Sequence, residues 1–219
     1  MSEAQGSALD EVKRRVLAAA LPLVPFEGWS DRTLREAGRS AGAGEAEVRA
    51  AFPRGIIDLV CCYADDADER MAEALKSADL TALRVRERVT LAVRRRIEAV
   101  GDTKEASRRA AALFALPQYA IDGMQSVYRT VDAVWRAVGD TSADFNFYTK
   151  RALLAGVFTS TMLHWFADSS EGAADTWAFL DRRIGEVMQI EKFKATAQKF
   201  VAGLPNPLSI LGSFRHPRN

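Results

Sequence analysis

The sequence predicts an all-α protein, on three observations. Apolar residues recur at three- and four-residue intervals along nearly the whole chain. Alternation of β-branched with polar residues, the mark of a half-buried strand, is nearly absent. Glycine, proline and capping residues fall between the periodic stretches and punctuate them into helices. With 219 residues, 48% of them hydrophobic, the chain can bury one large core or two small ones.

Residues 8–21 read as a first helix, with Leu9, Val12, Val16, Ala19 and Ala20 inward. LPLVPFEGW follows as a loop, because Pro22, Pro25 and Gly28 break the helix. Ser30 offers an N-cap to a second helix reaching about Arg39, with Leu34 and Ala37 inward. Ala41-Gly42 turns the chain into a short third helix near 44–51, anchored by Val48 and Phe52. Pro53 is expected to open a long fourth helix at its first turn, where a missing N–H costs nothing.

Two short helices joined by a glycine turn make a helix-turn-helix. The spacing of Trp29, Ala41-Gly42, Val48 and Phe52 is close to the TetR type. The DNA-reading positions differ, because the third helix carries Glu45 and Glu47 against one Arg49. Residues 1–60 hold eight Lys/Arg and nine Asp/Glu, so the module lacks the cationic excess that phosphate binding needs. No nucleic-acid partner is therefore expected. A TetR-type ligand-responsive transcriptional regulator is the alternative reading.

The fourth helix continues to about residue 78. The next, 82–100, holds Arg84, Arg86, Arg88, Arg94, Arg95 and Arg96 opposite Leu83, Val89, Val93, Ile97 and Val100. No aromatics interleave these arginines for base stacking, so a solvated or salt-bridged face is the leading reading and anionic head groups the second. Asp102 and Glu105 suggest a capping box for a helix ending near Leu116. Pro117 starts the following helix, through Ala137, whose Met124, Tyr128 and Trp135 can line a pocket or fill a core.

Residues 140–168 form the most apolar helix. Phe147, Arg151, Leu154, Phe158, Thr161 and Trp165 share one stripe; Phe145, Ala152, Gly156, Thr159 and Leu163 share the opposite one. Apolar character on both sides marks a helix that is central or shared between subunits. Its first turn sets Phe145, Phe147 and Tyr148 beside Lys150 and Arg151, which fits either a lid on the core or a docking surface. An amphipathic helix follows from Thr176, with Trp177, Leu180, Ile184, Val187 and Met188 inward. In the last periodic segment Ile190, Phe193, Ala197, Phe200, Val201 and Leu204 share a face, flanked by Lys192, Lys194 and Lys199. That pattern suits a helix lying on a bilayer, and equally one docked on the body with solvated lysines. No apolar run reaches the roughly 18–20 residues a spanning helix requires.

Catalytic chemistry is missing from the pattern. His164 and His216 stand alone, Cys61 and Cys62 are adjacent, and neither zinc spacing, nor an ExxH pair, nor a phosphate loop, nor a GxSxG elbow is present. The reading is a binding protein, not an enzyme, without cofactor or metal. The unpaired cysteines fit a reducing compartment. The N-terminal MSEAQGSALDEV has neither signal-peptide nor transit-peptide composition.

VPFEGWS, FPRGIIDLV, ALPQYAIDGM, TVDAVWRAVGDTSADFNFYTKR and DTWAFLDRRIGEVM carry a resemblance that covers most of the chain. It resembles the COQ-nine family, lipid-binding accessory proteins of ubiquinone (coenzyme Q) biosynthesis with a TetR-like fold. DTSADFNFYTKR is the most specific segment. The resemblance implies a homodimer, a pocket for an isoprenoid quinone precursor or a phospholipid, a membrane-associating C-terminal helix, and docking to a di-iron hydroxylase. The docking patch falls on Asp144, Phe147, Tyr148 and Arg151. The membrane helix falls on Ile190, Lys192, Phe193, Lys194, Lys199, Phe200, Val201 and Leu204. Trp135, Leu154, Phe158, Met162 and Trp165 are the expected lipid-binding residues.

The expected organisation is a TetR-like fold of about nine or ten helices. It comprises a degenerate helix-turn-helix module at 1–55, a helical lipid-binding and dimerisation domain at 56–189, and a membrane-associating helix and tail at 190–219. The stretch from Leu154 to Trp165 fits a pocket wall or a dimer seam. The expected location is the bacterial cytoplasm, peripheral on the inner face of the membrane.

Overall fold

A computed structural model describes residues 2–140 and 145–202; for 2–5, 145–147, 188 and 190–202 it describes the backbone alone. The described residues form ten α-helices and no strand. They are α1 (Ser2–Ala20), α2 (Val24–Glu27), α3 (Asp31–Ser40), α4 (Glu45–Ala51), α5 (Ile56–Lys76), α6 (Val85–Glu98), α7 (Lys104–Phe114), α8 (Ala120–Ala137), α9 (Phe145–Ala167) and α10 (Ala174–Ala202). Short 3₁₀ turns lead into α7, α8 and α10.

Local chemistry explains where the elements begin. The Ser30 hydroxyl accepts from the Thr33 N–H at 3.1 Å, and the Thr33 hydroxyl donates to the Gly28 carbonyl at 2.8 Å, so α3 starts where the cap predicts. The Glu47 carboxylate accepts from the Gly44 N–H at 2.7 Å and closes the first turn of α4. Four boundaries differ from the sequence reading. The polar SEAQGS extends α1 back to Ser2, since nothing in it stops a helix. The expected loop after α1 contains the one-turn α2, with Pro25 in its first turn. The long fourth helix does not open at Pro53: residues 53–55 turn first, and the Asp58 carboxylate takes the Arg54 N–H at 2.7 Å ahead of α5. The capping box on α7 is absent, because Glu105 is engaged by Arg108 and Arg109 at 2.7 and 2.6 Å.

The buried residues make one contiguous cluster from Val12 to Ile184. α5 runs through its centre, packed on α8, α6 and α1. α3 and α4 pack on α1, and they meet each other closely: a Cβ on Gly38 would stand 2.8 Å from Val48 Cγ2. The N-terminal helices are tied to the body through α7. Trp29 Nε1 donates to the Ala106 carbonyl at 2.9 Å, the Trp29 ring leans on Tyr63, and Tyr63 hydrogen-bonds Ser107 at 2.6 Å.

α9 is apolar on both sides, as its pattern predicts, but only one side is filled. Arg151, Leu154, Phe158, Thr161 and Trp165 are buried, while Ala152, Gly156, Thr159 and Leu163 are exposed. A Cβ on Gly156 would meet nothing within 4 Å. α10 passes position 190 without a break. Among the described residues no helix is long and apolar enough to cross a membrane.

Candidate functional site

A groove of about 960 Å³ lies between α7, α8 and α9, floored by α5 and one residue of α6. Along α9 it runs from Tyr148 to Phe166. At a 1.5 Å rise per residue that is about 27 Å, close to the thickness of a bilayer's hydrocarbon core. Its walls are Ala110, Ala111 and Phe114 from α7, Gly123, Met124 and Val127 from α8, and Ala155, Phe158, Met162 and Phe166 from α9. Small residues create the space, and flexible or aromatic ones line it. The close approach of α7 and α8 shapes one end, where a Cβ on Gly123 would stand 2.8 Å from Phe114 Cβ. The rim is apolar and exposed at Met124, Tyr128, Tyr148 and Leu163, with Ile121 one turn away on α8.

Charge sits beneath this apolar lining. Arg96 is 5% exposed; its Nε donates to Asp68 and its Nη2 to the Ala64 carbonyl at 3.1 Å. Thr130 donates to the same carboxylate at 2.9 Å, and the Phe158 ring lies 5.8 Å from the guanidinium carbon. At the first turn of α9, Arg151 pairs with Asp132 at 2.7 Å and with Asp140 at 3.7 Å, while Lys150 reaches Asp140 at 3.0 Å. Buried ions of this kind persist when paired and hydrogen-bonded.

The expected lipid-binding residues divide. Phe158 and Met162 stand on the groove wall. Trp135, Leu154 and Trp165 do not line it; they pack in the central core, on the filled stripe of α9 and the inner face of α8. The docking residues divide too. Tyr148 is exposed at the rim, so the groove opens beside that surface. Arg151 is 5% exposed, held by Asp132, and lines the groove. Asp144 and Leu204 lie outside the described residues. Phe147, Ile190, Lys192, Phe193, Lys194, Lys199, Phe200 and Val201 are described by their backbone alone, within α9 and α10.

Sequence reasoning passed over α7 as a wall, and over Arg96, Thr130 and Ser126 as a polar floor. A signal for Arg96 existed: it stands seven residues after Val89 and three after Val93, on the inner stripe of α6. The other α6 arginines behave as the leading reading has them. Arg94 and Arg95 pair with Glu98 at 2.7 Å, and Arg94 also covers Trp177.

A second, charged hollow between α1, α4 and α5 reaches Cys61 and Cys62. Burial pushes both thiols up, Cys62 to about 11, which disfavours the reactive thiolate at neutral pH. No group of three or more His, Cys, Asp and Glu suited to a metal ion occurs among the described residues.

Known proteins resemble this chain in both sequence and fold. The sequence profile of the COQ9 family matches residues 120–191. The rat ubiquinone biosynthesis protein COQ9, mitochondrial, is 31% identical over 206 residues, covering 89% of this chain and 66% of the rat protein. The Xenopus laevis protein COQ9-B, mitochondrial, is 30% identical, covering 89% of this chain and 70% of its own. The human protein is 29% identical, with 64% of its length covered. The chain thus spans just under two thirds of the rat and human proteins. A crystal structure of a TetR transcriptional regulator from Nitrosomonas europaea superposes with a TM-score of 0.64 at 21% identity, over 80% of this chain and 96% of that one. At that identity the likeness establishes the TetR-like fold alone. The relatives correct the expected bacterial cytoplasmic location, because they are mitochondrial proteins. The composition of an N-terminus carries no information on compartment for a chain that covers only part of its relatives.

Proposed function

The chain belongs to the COQ9 family of ubiquinone biosynthesis proteins, and on that premise we propose that it is a non-enzymatic lipid-binding accessory protein. It takes an isoprenoid quinone precursor from a membrane surface and presents it to a di-iron hydroxylase of the pathway. The observation that carries this reading is the open apolar groove of α7–α9, with its length of about 27 Å and its exposed apolar rim. Burying an isoprenoid tail there is worth about 0.8 kcal/mol per methylene. Tyr148 is exposed on the rim, and its place in the segment proposed to dock favours transfer at that end. The open small-residue stripe of α9, centred on Gly156, supports a homodimer seam. The Ile190–Leu204 segment, with apolar groups on one face and lysines beside them, suits contact with lipid head groups.

Lipid extraction from the purified protein, alone and after incubation with liposomes carrying a prenylated phenol, tests the reading by mass spectrometry. Recovery of the prenylated lipid at up to one molecule per groove is expected. Protein that emerges free of lipid from both preparations would overturn it.

A further inference from the structure

Two hydrogen-bond donors on the lining of the apolar groove have no partner among the described residues. Ser126 is 6% exposed, and among the described residues no hydrogen bond reaches its hydroxyl. It lies on the groove wall of α8, one turn before Thr130. Arg96 uses Nε on Asp68 and Nη2 on Ala64, which leaves Nη1 without a partner among the described residues. Both side chains are more than nine-tenths buried, and both line the groove. Neither donor atom is sealed from solvent, so water meets them in the free protein, and a lipid that fills the groove without offering an acceptor leaves them unmade at a cost.

We propose that Ser126 and Arg96 form an oxygen-reading subsite within the groove, which accepts an uncharged carbonyl, hydroxyl or ether oxygen carried on a long apolar chain. The inference rests on the lipid-binding reading above and adds which ligand atoms are read, and by which residues. The polarity of the subsite follows from its surroundings. Asp68 already neutralises the guanidinium and is filled by Thr130 as well, so donors alone point outward. An anionic head group placed here would be a third buried charge with no counter-charge left. An uncharged acceptor meets two donors and keeps the pair intact. The Phe158 ring beside the Arg96 guanidinium offers a flat apolar face to the same ligand. Two sources supply such an oxygen: a prenylated oxygenated ring, or the ester carbonyl of an acyl lipid.

Equilibrium binding to wild type and Ser126→Ala, followed by tryptophan fluorescence, distinguishes them with three probes. These are 2-geranylgeranylphenol, geranylgeranylbenzene, which lacks only the hydroxyl, and dioleoyl phosphatidylcholine. Wild type should bind the phenol about fivefold or more tighter than the benzene, the worth of one hydrogen bond of ordinary strength. Ser126→Ala should shrink that preference and leave the benzene affinity unchanged. Its Tm should be equal to or above wild type, because an unpartnered hydroxyl is removed. Arg96→Lys, checked for helicity, should shrink the preference by the other donor. Loss of phosphatidylcholine affinity in Ser126→Ala, with the phenol unaffected, would assign the subsite to the ester carbonyl. Equal wild-type affinity for phenol and benzene, with phosphatidylcholine indifferent to Ser126→Ala, would overturn the subsite while leaving the groove a lipid site. Binding of none of the three would overturn the lipid reading and the subsite with it.

Discussion

The N-terminal helices and the α7–α9 region are assembled from the same kind of amphipathic helix, yet they treat space and polarity in opposite ways. Around α2–α4 the groups that matter are closed off: Trp29 Nε1 on Ala106, the Thr33 hydroxyl on Gly28, and Glu47 on Gly44. α3 and α4 approach until only glycine fits at position 38. Around α7–α9 a groove of about 960 Å³ stays open on a largely apolar lining that includes Ser126 and Arg96. The hollow beside α1 and α4 is lined instead by charged groups such as Lys13, Arg54, Asp58 and Asp65. The proposed lipid site lies where the lining is apolar.

Substitutions that move one half and spare the other sharpen this contrast. The largest effect is expected at the closed half. Trp29→Ala removes a buried ring and its hydrogen bond, and should cost about 3–5 kcal/mol in urea unfolding. Met162→Ala, on the groove wall, should cost less than half of that and weaken lipid binding instead. Equal losses in the two variants would erase the contrast. Next comes Gly38→Ala, which forces a methyl against Val48 and should lower stability by about 1–3 kcal/mol. Val48→Ala in the same chain should restore part of the loss, and a simple sum of the two single effects would remove the steric explanation. The smallest change in stability is expected at the turn proposed for docking. Phe147→Lys should leave unfolding within about 0.5 kcal/mol of wild type while weakening capture of the purified hydroxylase. Undiminished capture would return that turn to a purely structural role.

Much of the scaffold was legible because its signals are local. Ser30 as an N-cap, the Ala41-Gly42 turn and the core stripe of α9 follow from side chains within four residues of one another. Errors arose where a residue had competing partners. Glu105 is a capping-box residue by spacing, yet two arginines one turn later claim it. Pro53 sits where a helix could start, but the turn at 53–55 and the Asp58 cap delay it to Ile56.

The site was less legible, because a groove depends on which helices are neighbours. Trp135, Leu154 and Trp165 were expected on the wall on the strength of size, and they belong to the core because they lie on the filled faces of α8 and α9. The wall itself is made partly of alanines in α7, which attract no attention in a sequence. The pairing of Arg151 with Asp132, nineteen residues earlier, is one that periodicity alone cannot give.

If lipid is held in the α7–α9 groove, filling the groove should exclude it. The most direct test fills it. Ala155→Trp places an indole in the groove from the wall of α9, at a half-buried position on the edge of the core. Wild type and variant would be exposed to the same prenylated liposomes, purified, checked for equal helicity by circular dichroism, and their bound lipid counted by native mass spectrometry. A folded variant that retains little or no lipid beside a loaded wild type is expected. A folded variant carrying the same lipid load as wild type would contradict it.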